Sequence, residues 1–216
     1  MLPITEILMD LSTTVLAIST GILAYRKLPV FYRVLFFQVL AYLIIDCYAA
    51  TYRNNEQAYN ISMLIEIGLF FLASHLYFKN FVSKWLSLTG YATFLMIWFF
   101  DIYFQGKNRL ADHAYIIGGI FITALYIRIL FFHYTKKSDH FHTAPLLLSC
   151  LGVFIFFAGI VPYLSMMYYL QDLDAELNQR IFQYMMVYPA IIRYFLLAIA
   201  FLILRTKNSI SPSNAT

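Results

Sequence analysis

Two ionisable residues of opposite sign, Glu66 and Arg193, each lie near the middle of a long apolar run. An ionised side chain inside a hydrocarbon layer costs about 2.5–3.5 kcal/mol on insertion scales, so it calls for a partner, a cavity or a task. The two runs point the same way across a bilayer, which brings both residues to similar depth. A buried Glu66–Arg193 pair is the obvious way to satisfy them, either as a structural lock or as an element that responds to a ligand or ion. Asp46 lies in the second run, outward of its middle.

Spacing extends this polar set. Gln38, Tyr42, Asp46 and Arg53 recur at intervals of four, four and seven, so one helical face carries them all. Tyr59, Ser62 and Glu66 form a similar stripe in the third run. In the seventh, Arg193 shares its face with Met186 and Pro189, while Tyr184 and Tyr188 line a neighbouring one. Three converging stripes would make a polar interior open toward the outside. Glu66, Arg193, Asp46, Tyr42, Gln38, Ser62 and Tyr188 are therefore the ligand- or ion-binding candidates. Pro162 and Pro189 interrupt runs six and seven, and each leaves the carbonyl four residues earlier without its usual donor. They are the hinge candidates.

Four histidines, His75, His133, His140 and His142, fall toward one side with Asp139. Imidazole suits zinc, yet His140 and His142 share a loop with Lys136 and Lys137 and read as solvated polar residues. The expectation is no metal and no cofactor. No HExxH motif, glycine-framed serine or glycine-rich phosphate loop occurs. No lysine lies within the seventh run, which excludes a retinal linkage there. Cys47 and Cys150 read as small apolar packers in opposite halves of the bilayer, too far apart for a disulfide.

The elements that position these residues are seven apolar runs, approximately Ile7–Tyr25, Val30–Thr51, Tyr59–Phe78, Trp85–Phe104, Ala114–Tyr134, Ala144–Leu170 and Ile181–Leu204. A spanning helix needs about 20 mostly apolar residues. Hydrophobic residues make up 62% of the 216-residue chain and charged residues only 12%, against about 25% in a soluble domain. The reading is an all-α bundle of seven transmembrane helices over residues 1–207, followed by a short polar tail at 208–216. No room remains for a second domain. The first run is preceded by Glu6 rather than by a basic residue and followed by Arg26–Lys27, unlike a cleavable signal peptide.

Aromatic residues near the run ends, among them Tyr25, Tyr32, Tyr59, Trp85, Tyr103, Tyr115, Tyr134 and Tyr168, read as interfacial anchors. Asp10 and Asp101, near the outer ends of their runs, read as hydrated boundary positions. Arg128 reads as snorkelling to the inner headgroups. Asp172, Asp174 and Glu176 would favour the N-terminus of the seventh helix. Ala17, Gly21 and Ala24, with Gly118 and Gly119, mark close helix packing.

Charge sorts the connections. One side holds Arg26, Lys27, Arg33, Lys79, Lys84, Lys136, Lys137, Arg205 and Lys207 with a single acid, Asp139. The other holds Arg53, Lys107, Arg109 and Arg180 among six acids, Glu6, Glu56, Asp112, Asp172, Asp174 and Glu176. The positive-inside rule puts the first side in the cytoplasm, with the N-terminus outside and the C-terminus inside. The net charge of +4 thus reflects loop distribution and not nucleic-acid binding.

The functional expectation is a non-enzymatic sensory or ligand-binding module in the cell membrane. Its partners are then the bilayer and a separate signalling protein or a second copy. Two alternatives stand beside it. One is a small transporter or channel routed past Glu66, Arg193 and Asp46; the other is an intramembrane metal enzyme using the histidines. Orientation is directly testable: a cysteine introduced at Asn55 reacts with an impermeant reagent added outside, and a reporter fused at Thr216 reads as cytoplasmic. Labelling of position 55 only from the cytoplasmic side would reverse the assignment.

Overall fold

A backbone in hydrocarbon must satisfy its own N–H and C=O groups, which a helix does within one segment. The computed structural model describes residues 4–49, 56–106, 109–135, 143–170 and 174–207. Among them every regular element is helical. In order these are α1 (Ile4–Ala24), a 3-10 turn (Tyr25–Lys27), α2 (Val30–Ala49), α3 (Glu56–Tyr77), α4 (Phe81–Gln105) and α5 (Asp112–Thr135). Then follow α6 (Thr143–Leu170), α7 (Ala175–Phe182), a π-turn (Gln183–Val187) and α8 (Tyr188–Lys207). Seven segments are long and apolar enough to cross a membrane, the seventh being α7, the π-turn and α8 together.

Each helix packs on its chain neighbour, and α1 closes the ring against α8. Contact between α3 and α5 pushes α4 to the outside. There α4 shows solvent a row of large apolar residues: Met96 is 75% exposed, Phe99 63% and Tyr103 82%. Water-soluble monomers seldom carry contiguous apolar patches beyond a few hundred Å². Composition and surface together suit a membrane protein.

The polar ends of the helices run past the apolar segments. The fourth helix begins at Phe81 rather than Trp85, and the seventh at Ala175 rather than Ile181. Hydropathy marks what is apolar, whereas a capped polar turn is still helix: the Asp174 carboxylate accepts the Glu176 N–H at 3.1 Å. Asp172, Arg53 and the tail at 208–216 lie outside the described residues.

Side-chain placement corrects several expectations. Trp85, Tyr103, Tyr134 and Tyr168 are exposed, as anchors are, but Tyr32 and Tyr115 are buried. Nearness to a helix end gives depth and not direction around the helix axis. Asp101 is buried too, and its carboxylate accepts the Ala114 N–H at 3.0 Å. A hydrated boundary position does not describe it. Arg128 is exposed, yet its Nε donates to the buried Ser83 hydroxyl at 2.9 Å.

The two prolines behave differently. Helix α6 runs on through Pro162. Pro189 follows the π-turn, in which the Tyr188 N–H reaches back to the Gln183 carbonyl, and such turns are frequent at functional sites. The Met185 carbonyl, which Pro189 cannot partner, lies against Gly159 of α6, where a Cβ would collide with that oxygen. Gly159→Ala is therefore expected to cost about 1–3 kcal/mol through overpacking, measured as a lower unfolding temperature in detergent. An unchanged melting temperature would mean the two backbones are not in close contact.

Candidate functional site

The Glu66 carboxylate, from the middle of α3, is 8% exposed and takes donors from three other helices. Arg193 Nη1 of α8 donates to Oε1 at 2.8 Å, and Gln38 Nε2 of α2 donates to the same oxygen at 3.1 Å. The Tyr115 hydroxyl of α5 donates to Oε2 at 2.7 Å. Both oxygens are thus engaged, one of them in a charge-assisted pair of the stronger sort.

Arg193 is 3% exposed. Its Nη2 donates to the Tyr194 hydroxyl at 2.7 Å, whereas its buried Nε finds no hydrogen-bond acceptor. Aromatic faces surround the guanidinium: its Cζ lies 3.9 Å from the ring centre of Phe156, 4.6 Å from Tyr194 and 5.5 Å from Phe70. Ring quadrupoles attract a cation most strongly where water is excluded. A planar guanidinium can stack and donate at once, which a lysine ammonium cannot.

Helices α3 and α8 are not packed side by side in the ring, so the pair bridges the interior. Gly152 makes the reach feasible. A Cβ there would stand only 3.3 Å from the Arg193 Cα and carbonyl oxygen, so α8 approaches α6 at that point as few other residues would permit. Spacing alone did not single out Gly152, and Tyr115 passed for an anchor. The available signal was that a carboxylate partnered by one arginine still has lone pairs to fill.

The other stripe residues divide. Gln38 and Ser62 are buried, and Gln38 joins Glu66 directly. The ring of Tyr42 packs 5.3 Å from that of Tyr194, one turn of α2 beyond Gln38. Asp46 lies a further turn along, within electrostatic range of Asp10 on α1 and of Tyr42. Asp10 buries its Oδ1 without a hydrogen-bond partner. Tyr188 packs edge-on against Tyr184, 5.4 Å between ring centres.

Of the four candidate histidines, His75 and His133 lie among the described residues. His133 is buried: Nδ1 lies 3.3 Å from the Tyr77 hydroxyl and Nε2 lies 3.2 Å from the Thr143 hydroxyl. Those bonds tie the ends of α3, α5 and α6. His75 is half-buried, and His140 and His142 lie outside the described residues. No protein-family model, curated protein or solved structure matches this chain.

A buried carboxylate held by three donors is costly to unpair. Removing one partner of such a pair typically costs about 3–5 kcal/mol, because the other charge is stranded. Glu66→Gln and Arg193→Gln should each lower thermal stability in detergent by that order, and the double variant should recover part of the loss. Strictly additive losses would mean that the two residues do not interact energetically.

Proposed function

We propose that the chain is a multi-pass protein of the cell membrane, N-terminus outside and C-terminus in the cytoplasm. In this reading it is a non-enzymatic, ligand-responsive module that acts through a separate protein or a second copy. The basic residues gathered on one side of the spans support the orientation.

The observation that carries the ligand-responsive reading is the asymmetry of the interior about Glu66. On one side, toward the external ends of the helices, lie Tyr42, Asp46 and Asp10 with its orphaned carboxylate oxygen. On the other, Phe70, Tyr126, Phe157 and Phe201 are fully buried and fill the space between helices. A polar column that ends on a locked ion pair above packed aromatic rings suits a ligand entering from outside and going no further. Asp10 and Asp46 favour a cationic or amine-bearing ligand. The lock touches α8, and α8 begins at the π-turn, a backbone irregularity on which occupancy could act. A bistable element of this kind is what a switch requires.

Transport is the second reading, favoured by the same acids if the aromatic packing opens. Screening small amines and monovalent cations by thermal shift in detergent separates the two. The expected result is a ligand that stabilises the wild type, loses its effect in Asp46→Asn and Asp10→Asn, and produces no flux in proteoliposomes. Gradient-driven uptake that Glu66→Gln abolishes would replace the sensory reading with transport.

A further inference from the structure

At the far end of α4 and the start of α5, two carboxylates and an imidazole converge away from the ion pair. His113 Nδ1 lies 3.2 Å from Asp101 Oδ1 and 3.5 Å from Asp112 Oδ1. The three atoms all lie within 4.8 Å of one another. We propose that Asp101, Asp112 and His113 bind one divalent transition-metal cation of the zinc class, clamping the end of α4 to the start of α5.

Three features support this beyond the mere gathering of acids. The first is burial with an unmet acceptor. Asp112 is 2% exposed, and its Oδ1, which faces the imidazole, accepts no hydrogen bond. A buried carboxylate oxygen left this way is costly unless a cation completes it.

The second is spacing. Zinc holds nitrogen and oxygen ligands at about 2.0–2.2 Å, so tetrahedral geometry separates ligand atoms by roughly 3.3–3.5 Å. The two separations from Nδ1 lie close to that range, and the two carboxylate oxygens lie within 4.8 Å of each other.

The third is the surrounding support. The other oxygen of Asp101 is fixed by the Ala114 N–H, and Tyr168 of α6 lies near Asp112. Asn60 of α3 holds the connection just before them, its Nδ2 donating to the Arg109 carbonyl at 2.7 Å and its Oδ1 accepting the Ala111 N–H at 2.9 Å. Ligand carboxylates are commonly oriented by outer hydrogen bonds of this kind.

Charge points the same way. Two buried carboxylates face one imidazole, and the nearby Arg109 is exposed to solvent, where its charge is screened. A nitrogen donor with two carboxylates selects Zn²⁺, Co²⁺ or Mn²⁺ over Mg²⁺ and Ca²⁺, which prefer all-oxygen shells. Three protein ligands leave a fourth position for water, and the exposed His113 side chain gives an entry path. The site depends on neither the membrane orientation nor the sensory reading.

The test uses the full chain purified in detergent through a tag that binds no metal, stripped with a chelator and dialysed against micromolar ZnCl2. About one zinc per chain is expected by elemental analysis. CoCl2 in its place should give visible d–d absorption, and excess MgCl2 or CaCl2 should not displace the zinc. Zinc should raise the unfolding temperature of the wild type. His113→Ala removes an exposed ring that also bonds Asp101, so the metal-free variant should melt somewhat lower, and it should bind zinc at least about tenfold more weakly and gain less in unfolding temperature from it. Asp112→Asn should do the same to binding. The proposal is overturned if the wild type holds no stoichiometric zinc. It is equally overturned if both variants bind as the wild type does, or if zinc is lost on His140→Ala and kept in His113→Ala.

Discussion

A charge that cannot reach water has to be answered from within the protein, and in this bundle the charge is that of Glu66. Its two oxygens draw Gln38, Tyr115 and Arg193 inward from α2, α5 and α8. The guanidinium brought in to neutralise it must itself be housed, and three aromatic faces line its surroundings. Hydrophobic burial gives little direction to helix association in lipid, where the solvent is as apolar as the side chains. A hydrogen-bonded charge pair does give direction, because only one relative placement of the helices satisfies all its donors. The Arg193 bond thus ties α3 to α8, which the ring leaves apart, while Gln38 and Tyr115 fasten α3 to its neighbours α2 and α5.

Other polar groups in the described core follow the same rule at smaller scale. Ser74 of α3 and Ser87 of α4 share a hydrogen bond at 2.8 Å, and Ser87 also donates to the Phe71 carbonyl. His133 joins Tyr77 to Thr143 at one end of the bundle, and Asn60 joins α3 to the α4–α5 connection at the other. Between these fastenings the packing is apolar and aromatic. Departures from the rule among the described residues include the Tyr32 and Tyr126 hydroxyls, the Asn80 and Asn178 side-chain oxygens, one carboxylate oxygen each of Asp10 and Asp112, and Nε of Arg193. That Nε belongs to a cation whose charge the aromatic faces already meet.

The backbone departs from regular α-helix at one described place within the seventh span. Where α7 passes into α8, the chain widens to a π-turn just before Pro189, and the Met185 carbonyl rests against Gly159. One turn beyond Pro189, α8 carries the arginine of the ion pair. A change in the register of that turn would move Arg193 relative to Glu66, and a change in the pair would be felt at the turn. The coupling follows from their sharing one rigid helix.

How much of this was legible in the chain depends on what kind of signal each feature leaves. The seven spans are a matter of composition and length, and both are properties of consecutive residues. Glu66 and Arg193 declare themselves because a charge amid apolar neighbours is conspicuous, and a shared depth makes them partners. Gln38 follows from its spacing to Tyr42 and Asp46 on one face. Tyr115 and Gly152 leave no such trace: the rotation of α5 about its axis makes one a ligand of Glu66, and the approach of α6 to α8 makes the other necessary. Asp101 meets Asp112 and His113 only because α4 and α5 end side by side. Sequence by itself determined which segments are helices and which residues cannot be left unanswered there. Tertiary structure alone decided which partners answer them, because the direction in which each helix face points is set by packing against the others.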